Sequence, residues 1–387
     1  MFHYGVRVVA LSLALLPVAA FTNGCTGDNA INPLCQTNET PYIRSFFYVG
    51  GRYVETATGN VTVDQIYVEK LLPVHGVSQP NPLVFFHGGG TSAVTWLNTP
   101  DNRMGWASYF ISQGYAVYLV DAYSGARSAA NDFASLTFAP GVSREIAQAR
   151  WTAPSENHTQ WPGSGVDNDP AFQAFVKTLI PWTLNFERQE LAMRASGCKL
   201  LSLITKSNTR HGSRLGKAFL IAHSLGAFYP ILLSNDCPEF IKGSINLEPA
   251  TTPFWRYNSG ELGGVPQSPW GLTFSRLSYD PPINNASELH VETVGEDTLE
   301  QRQCYQQSEP ARKLPNVSRV PYLGLSGEAG FITASGRCIA DYLRQVGVTL
   351  QWIQLEDVGI RGNGHFMHVE LNNLEIAKLV ENWMSNI

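Results

Sequence analysis

Apolar residues in this chain concentrate in short runs separated by longer amphipathic or irregular stretches. Leu83-Val84-Phe85-Phe86, Ala116 to Val120, Lys217 to Ala222, Gly243 to Leu247, Tyr322 to Leu325 and Thr349 to Leu355 are such runs. A strand covered on both faces reads this way, because neither face needs polar residues. Ahead of them, Ser45 to Val54 and Gln65 to Leu72 are rich in Tyr, Val and Phe with partial alternation, and Gly and Asn punctuate the stretch between. That pattern predicts an antiparallel opening pair of strands. Met104 to Gln113, stopped by Gly114, and Arg337 to Val346 and Leu374 to Met384 have helical character. Short buried strands alternating with helices predict an α/β fold with a mostly parallel central sheet flanked by helices.

Two stretches break the rhythm, at about 123–214 and 250–320. Both are rich in Pro and Gly and show only short helical patterns. Their aromatic residues, Trp151, Trp161, Phe172 and Trp182 in one and Trp255, Trp270 and Phe274 in the other, argue against disorder. They are expected to be cap insertions over the carboxyl end of the sheet.

The amino terminus changes the picture of where the chain resides. Arg7 closes a mildly basic start, Val8 to Phe21 is apolar but too short to cross a bilayer, and Val18-Ala19-Ala20 supplies a small-residue cleavage site. Residues 1–20 therefore read as a signal peptide, leaving 21–387 as one domain with insertions. All six cysteines follow the cut, and none has C-x-x-C spacing, so metal or thioredoxin-like chemistry is disfavoured. In an oxidising compartment they form three disulfides, and nearness along the chain alone suggests Cys25–Cys35, Cys198–Cys237 and Cys304–Cys338. Five N-x-S/T sequons, at Asn38, Asn60, Asn157, Asn285 and Asn316, suit a secreted glycoprotein. The net charge of -5 is mild, with no basic stripe and no nucleic-acid motif, which disfavours a nucleic-acid partner. No later segment is apolar for the length of a membrane span, so stable membrane insertion is not expected.

The chemistry concentrates where the run ending at Ala222 meets His223-Ser224-Leu225-Gly226. A strand that ends in small-x-Ser-x-Gly and turns at once into a helix is a nucleophile elbow, which exposes the serine hydroxyl above the sheet edge. Ser224 is thus the candidate nucleophile, in preference to an ordinary helix-capping serine. His365, in the loop Gly362-Asn363-Gly364-His365 after the last strand, is the candidate base, with His368 one turn on as its rival. A His365/His368 metal pair lacks a third ligand, and no metal site is expected. His87-Gly88-Gly89-Gly90 directly follows a buried strand, as an oxyanion loop does; the Gly89 and Leu225 N–H groups are the expected donors, and His87 reads as structural. Three carboxylates compete to orient the base: Glu248 after the strand following the nucleophile, Glu328 after the next strand, and Asp357 near the last one. The chain order Ser, acid, His fits an acyl-transfer serine enzyme.

These residues carry a resemblance. Phe86-His87-Gly88-Gly89-Gly90, Thr95-Trp96, Thr99-Pro100-Asp101, Gly105-Trp106, Gly114-Tyr115 and Val120-Asp121 resemble the α/β-hydrolase superfamily in its esterase 713-like branch. The likeness continues at Gln160-Trp161-Pro162-Gly163-Ser164-Gly165, at Leu247-Glu248-Pro249, and at Gly364-His365 with Glu370, Asn372 and Asn373 beyond. The resemblance implies a secreted, fungal-type carboxylesterase-like protein that needs no cofactor and acts on a small-molecule ester. It also implies that the acid follows the strand after the nucleophile, which raises Glu248 over Glu328. One member of the branch has a Cys pair where this chain has Gly89-Gly90; the departure leaves the Gly89 backbone donor in place. The expected reaction is ester hydrolysis through a Ser-His-Glu triad. A lactonase, amidase or peptidase on the same site, or a non-catalytic secreted binding protein, is the alternative.

Overall fold

The computed structural model describes residues 25, 27–132, 134, 136–207 and 215–387; the expected signal peptide, residues 1–20, lies outside the described residues. Strands β1 (Tyr42–Thr56) and β2 (Gly59–Pro73) form an antiparallel hairpin in which Thr56 faces Gly59. Both run beyond their expected limits. Most of β1 is exposed, so its outer positions need no hydrophobic alternation and give no signal. Then come β3 (Leu83–Phe86), β4 (Val117–Val120), β5 (Ala218–His223), β6 (Ile241–Leu247), β7 (Tyr322–Ser326) and β8 (Leu350–Gln354). The sheet order is β1-β2-β4-β3-β5-β6-β7-β8, antiparallel at β1/β2 and β2/β4 and parallel elsewhere.

Among the described residues, five helices cover the sheet: α1 (Trp106–Ser112), α2 (Phe186–Lys206), α3 (Phe228–Asp236), α4 (Thr333–Gln345) and α5 (Asn373–Ser385). Alternate residues of the buried strands divide between two cores. Val84 and Phe86 join Leu200, Leu232 and Leu343 under α2, α3 and α4, while Leu83 and Phe85 join Phe110, Ile376 and Val380 under α1 and α5. Each such side chain, fully buried, contributes roughly 1.5–3 kcal/mol of transfer free energy. This is why four apolar residues in a row suffice for a central strand.

The stretch 123–214 differs from its expectation. Residues Phe186–Lys206 form a 21-residue helix rather than short turns. Its buried face packs on the hairpin and α3, as part of the layer flanking the sheet rather than as cap. That face includes Ala192, Ser196 and Gly197, and a Cβ on Gly197 would stand 2.7 Å from a Leu233 methyl. Small residues let α2 approach α3 closely, and they mute the hydrophobic period that announces a helix. The earlier part of the stretch packs against the segment that follows His365. Trp151, Trp161, Phe172 and Phe175 form a cluster of their own with Phe366 and Val369, which follow His365. Asp169 organises it: its carboxylate caps the short helix Pro170–Val176 and accepts the Trp161 indole N–H and the Gly165 N–H. The second stretch, 250–320, holds two short hairpins, and its Leu272, Leu277 and Leu314 join the core under α3 and α4.

The cysteines pair as Cys25–Cys35, Cys198–Cys237 and Cys304–Cys338. The second bond joins α2 to the residue after α3, and the third joins the strand Cys304–Gln307 to α4. Among the described residues, no helix is long and apolar enough to cross a membrane.

Candidate active site

Ser224 stands one residue past β5, and Glu248 one residue past β6. Their strands are neighbours in register: His223 pairs with Leu247, so Ser224 and Glu248 sit level at the sheet edge. Both are non-glycine residues at positive φ, 53° and 46°. That conformation is strained for a side chain and lifts each one above the edge. The elbow is tight enough that a Cβ on Gly226 would collide with the His87 carbonyl, and Ala222 lies wholly inside the sheet, which explains the small residues around the serine.

His365 bridges the two. Its Nε2 is 3.0 Å from Ser224 Oγ and its Nδ1 is 3.2 Å from Glu248 Oε2. The carboxylate accepts the Nδ1–H, so Nε2 is left as acceptor for the serine hydroxyl. All three residues are buried. Glu248 is held from its other side by the Gly327 N–H, 2.8 Å from Oε1. Burial, increased by the nearby charge of Glu370 and partly offset by that N–H, raises the Glu248 carboxyl above its ordinary value. Burial also lowers the His365 imidazole to about 3. An imidazole free of a second proton keeps its Nε2 lone pair facing the Ser224 hydroxyl.

The rival residues lie elsewhere. Glu328 pairs with Arg361 at 3.1 Å and accepts the Gly362 N–H, so it braces the histidine loop without touching the imidazole. His368 places Nε2 2.8 Å from Thr95 Oγ1 and packs at a tilt against the Trp96 ring. His87 accepts the Ala122 N–H at Nε2, which leaves Nδ1–H to donate to the Gly88 carbonyl at 2.8 Å. It therefore ties the glycine loop to the end of β4, and burial keeps its pKa low. His223 donates Nε2–H to the His365 carbonyl at 2.9 Å and packs against the same ring.

The glycine loop lies against the elbow. A Cβ on Gly88 would stand 3.0 Å from the Ser224 Cβ, and one on Gly89 would collide with the Leu225 side chain. Only backbone fits there, which brings the peptide groups of Gly89 and Leu225 to the same corner of the site. A narrow hollow of about 30 Å³ opens beside them, walled by Trp182, Phe186, Leu225 and Phe228. A wider apolar hollow of about 560 Å³, between Trp255, Leu289 and Tyr305 of the second insertion, includes none of these residues. Among the described residues, no group of three or more His, Cys, Asp or Glu is placed to hold a metal ion.

Comparison with known proteins agrees with this architecture. No family model matches the chain. It is 35% identical over 359 residues to a protein of Fungal sp. (strain ATCC 74256) named "Probable secreted lipase phiG", a match covering 88% of this chain and 89% of that one. The chain belongs to the α/β-hydrolase superfamily. A solved structure described as a novel bacterial esterase matches this α/β-hydrolase with a TM-score of 0.62 at 21% identity, covering 91% of this chain and 99% of the other, a likeness of fold. The three disulfides and the secreted relative identify the hydrolase as an extracellular protein.

Sequence reasoning gave three nearby residues no role. Trp151 lies parallel to the His365 ring, with centroids 6.3 Å apart. Glu370, noted only as part of the resemblance, is a buried carboxylate beneath the histidine loop, and His158 reaches it from the first insertion. No periodicity or spacing marks them, since the contacts that bring Trp151 and His158 to His365 and Glu370 span more than two hundred residues of chain.

Proposed function

We propose that this protein is a secreted serine esterase that cleaves carboxylic esters through Ser224, His365 and Glu248. His365 Nε2 takes the Ser224 proton as Oγ attacks the ester carbonyl carbon. The tetrahedral oxyanion is held by the Gly89 and Leu225 N–H groups, each such donor worth roughly 2.7–4 kcal/mol. Collapse breaks the bond to the alkoxy oxygen, and the imidazolium passes its proton to the leaving alcohol. Water then gives a proton to Nε2, attacks the acyl-enzyme and releases the carboxylic acid with Ser224 restored. Glu248 keeps Nδ1–H pointing away from the serine and stabilises the imidazolium.

The observation that carries the reading is the single imidazole in contact with both a strained, elbow-mounted serine and a buried carboxylate. The relative named a lipase supports ester over amide substrates. The test is turnover of matched p-nitrophenyl ester, lactone and amide substrates by the parent and Ser224→Ala proteins, with fluorophosphonate labelling of each. The variant is expected to lose about a millionfold in turnover and all labelling. Near-parental hydrolysis by Ser224→Ala refutes the assignment, preference for the amide or lactone moves the substrate class, and no labelling of folded parent protein favours a binding role.

A further inference from the structure

We propose that His158 and Glu370 form a latch that positions His365 by fastening the first insertion onto the histidine loop; the proposal rests on the reading of His365 as catalytic base. Glu370 is fully buried, and its two oxygens converge on the residues just before His365. Oε1 and Oε2 accept the Gly364 N–H at 3.0 and 3.1 Å, and Oε2 also accepts Asn363 Nδ2–H at 2.7 Å. The remaining contact comes from the insertion: His158 Nε2 is 3.0 Å from Oε1. The other ring nitrogen of His158, Nδ1, is 2.9 Å from the Ala153 carbonyl.

Both nitrogens of His158 thus face acceptors with no donor of their own. A neutral imidazole satisfies one and leaves the other lone pair against an oxygen; the imidazolium satisfies both. Glu370 beside it and the two hydrogen bonds raise its pKa against the opposing effect of burial. The two-acceptor geometry thus favours a doubly protonated His158 on the insertion against the Glu370 carboxylate on the loop. Charged groups nearby are engaged otherwise: the Arg103 guanidinium donates to the Glu370 and Val369 carbonyls, and Glu328 pairs with Arg361. His365 itself, its pKa lowered by burial, brings no charge to the latch.

Backbone bonds flank it. The N–H groups of Thr159 and Gln160 both donate to the Gly362 carbonyl at 3.0 Å, and the Leu371 N–H donates to Gln160 at 2.7 Å. The fit is close: a Cβ on Gly364 would stand 2.8 Å from His158 Nε2, and one on Gly362 would collide with Thr159 Oγ1. His365 is thereby fixed from below by Glu370 and covered by Trp151 of the same insertion. His158 and Glu370 are positioning residues, since neither touches the Ser224 hydroxyl.

The experiment compares parent, His158→Ala, His158→Gln and Glu370→Gln proteins in p-nitrophenyl butyrate turnover across pH, and measures amide exchange in the peptide around Gly364. His158→Ala is expected to lower kcat about a hundredfold, the cost of displacing a catalytic group by about 1 Å, with KM little changed and Gly364 exchange faster. Gln keeps a donor toward Glu370, so His158→Gln is expected to recover most of kcat. The parent is expected to show an alkaline fall in kcat as His158 loses its second proton, and His158→Gln to lack it. Parental kcat, pH profile and Gly364 exchange in both His158 variants would overturn the latch, even with Ser224→Ala inactive and the esterase reading intact. Should Ser224→Ala stay active, the esterase reading fails and the latch still stands or falls on Gly364 exchange. If Glu370→Gln does not fold, the His158 variants decide the matter.

Discussion

Replacing Glu248 by Gln tests the triad with the least change of shape. The side chain is wholly buried, and its two oxygens have different tasks: Oε1 accepts the Gly327 N–H at 2.8 Å, and Oε2 accepts His365 Nδ1–H at 3.2 Å. An amide has one oxygen, and the Gly327 N–H, fixed by its backbone, claims it. The amide NH2 then faces His365 Nδ1, which must give up its proton to accept. The imidazole proton moves to Nε2, the wrong tautomer for accepting one from Ser224. The analogous carboxylate-to-amide change in serine proteases lowers kcat by about 10⁴ while leaving geometry intact. At 1.36 kcal/mol per tenfold that is about 5.4 kcal/mol of transition-state stabilisation. Glu328→Gln weakens only a half-exposed ion pair and one N–H contact, worth about 1 kcal/mol or less, so its kcat should fall less than about tenfold.

The assay is steady-state hydrolysis of p-nitrophenyl butyrate, normalised by active-site titration so that only folded, labelled enzyme is counted. Glu248→Gln within tenfold of parent refutes the tautomer argument. If Glu328→Gln then falls by 10³ or more, the orienting acid is Glu328 and the loop around Arg361 rearranges on binding.

Three other outcomes follow from the same structure. Cys198→Ala with Cys237→Ala removes a link spanning 39 residues, which the chain-entropy relation values at about 4 kcal/mol, and thermal unfolding should shift down accordingly. Glu190, buried on α2 against the Phe274 and Ser275 N–H groups, has its pKa raised to about 7 by burial. A raised carboxyl favours folding below its unfolded value near 4.5 and loses that contribution as pH climbs to 7. Glu190→Gln should therefore show a smaller drop in urea-unfolding free energy over that window than the parent. Asn316 donates Nδ2–H to the Asn235 carbonyl, whereas Asn38, Asn60, Asn157 and Asn285 are exposed; glycopeptide mass spectrometry should find sugar at those four and little at Asn316.

What was legible in the chain follows from how local each signal is. The central strands announced themselves because a doubly covered strand has no polar face. The elbow did so because its tight turn demands small residues at fixed spacing. α2 was missed because Ala192, Ser196 and Gly197 lie on its buried face, where a helix ordinarily shows large apolar side chains. The choice between Glu248 and Glu328 could not be made from local pattern, since each follows a buried strand. Only family resemblance favoured the first. His158 was invisible for the same reason that it is informative: 212 residues separate it from Glu370.

Sheet register explains why Glu248 rather than Glu328 meets the histidine. Leu247 pairs with His223 on one side and with Leu325 on the other. Glu248 is therefore level with Ser224 and one strand spacing away, about 4.8 Å, close enough for one imidazole to span both. Glu328 lies three residues past Leu325, so it overshoots the edge, and it sits a strand further from Ser224. There it meets Arg361 and Gly362, at the start of the loop that delivers His365. The longer Glu side chain at 248 supplies reach that Asp would lack by one methylene. The positive φ at that residue turns its carboxylate toward the ring rather than into the sheet. The two carboxylates thus divide the work by register, one orienting the imidazole and the other anchoring the loop that carries it.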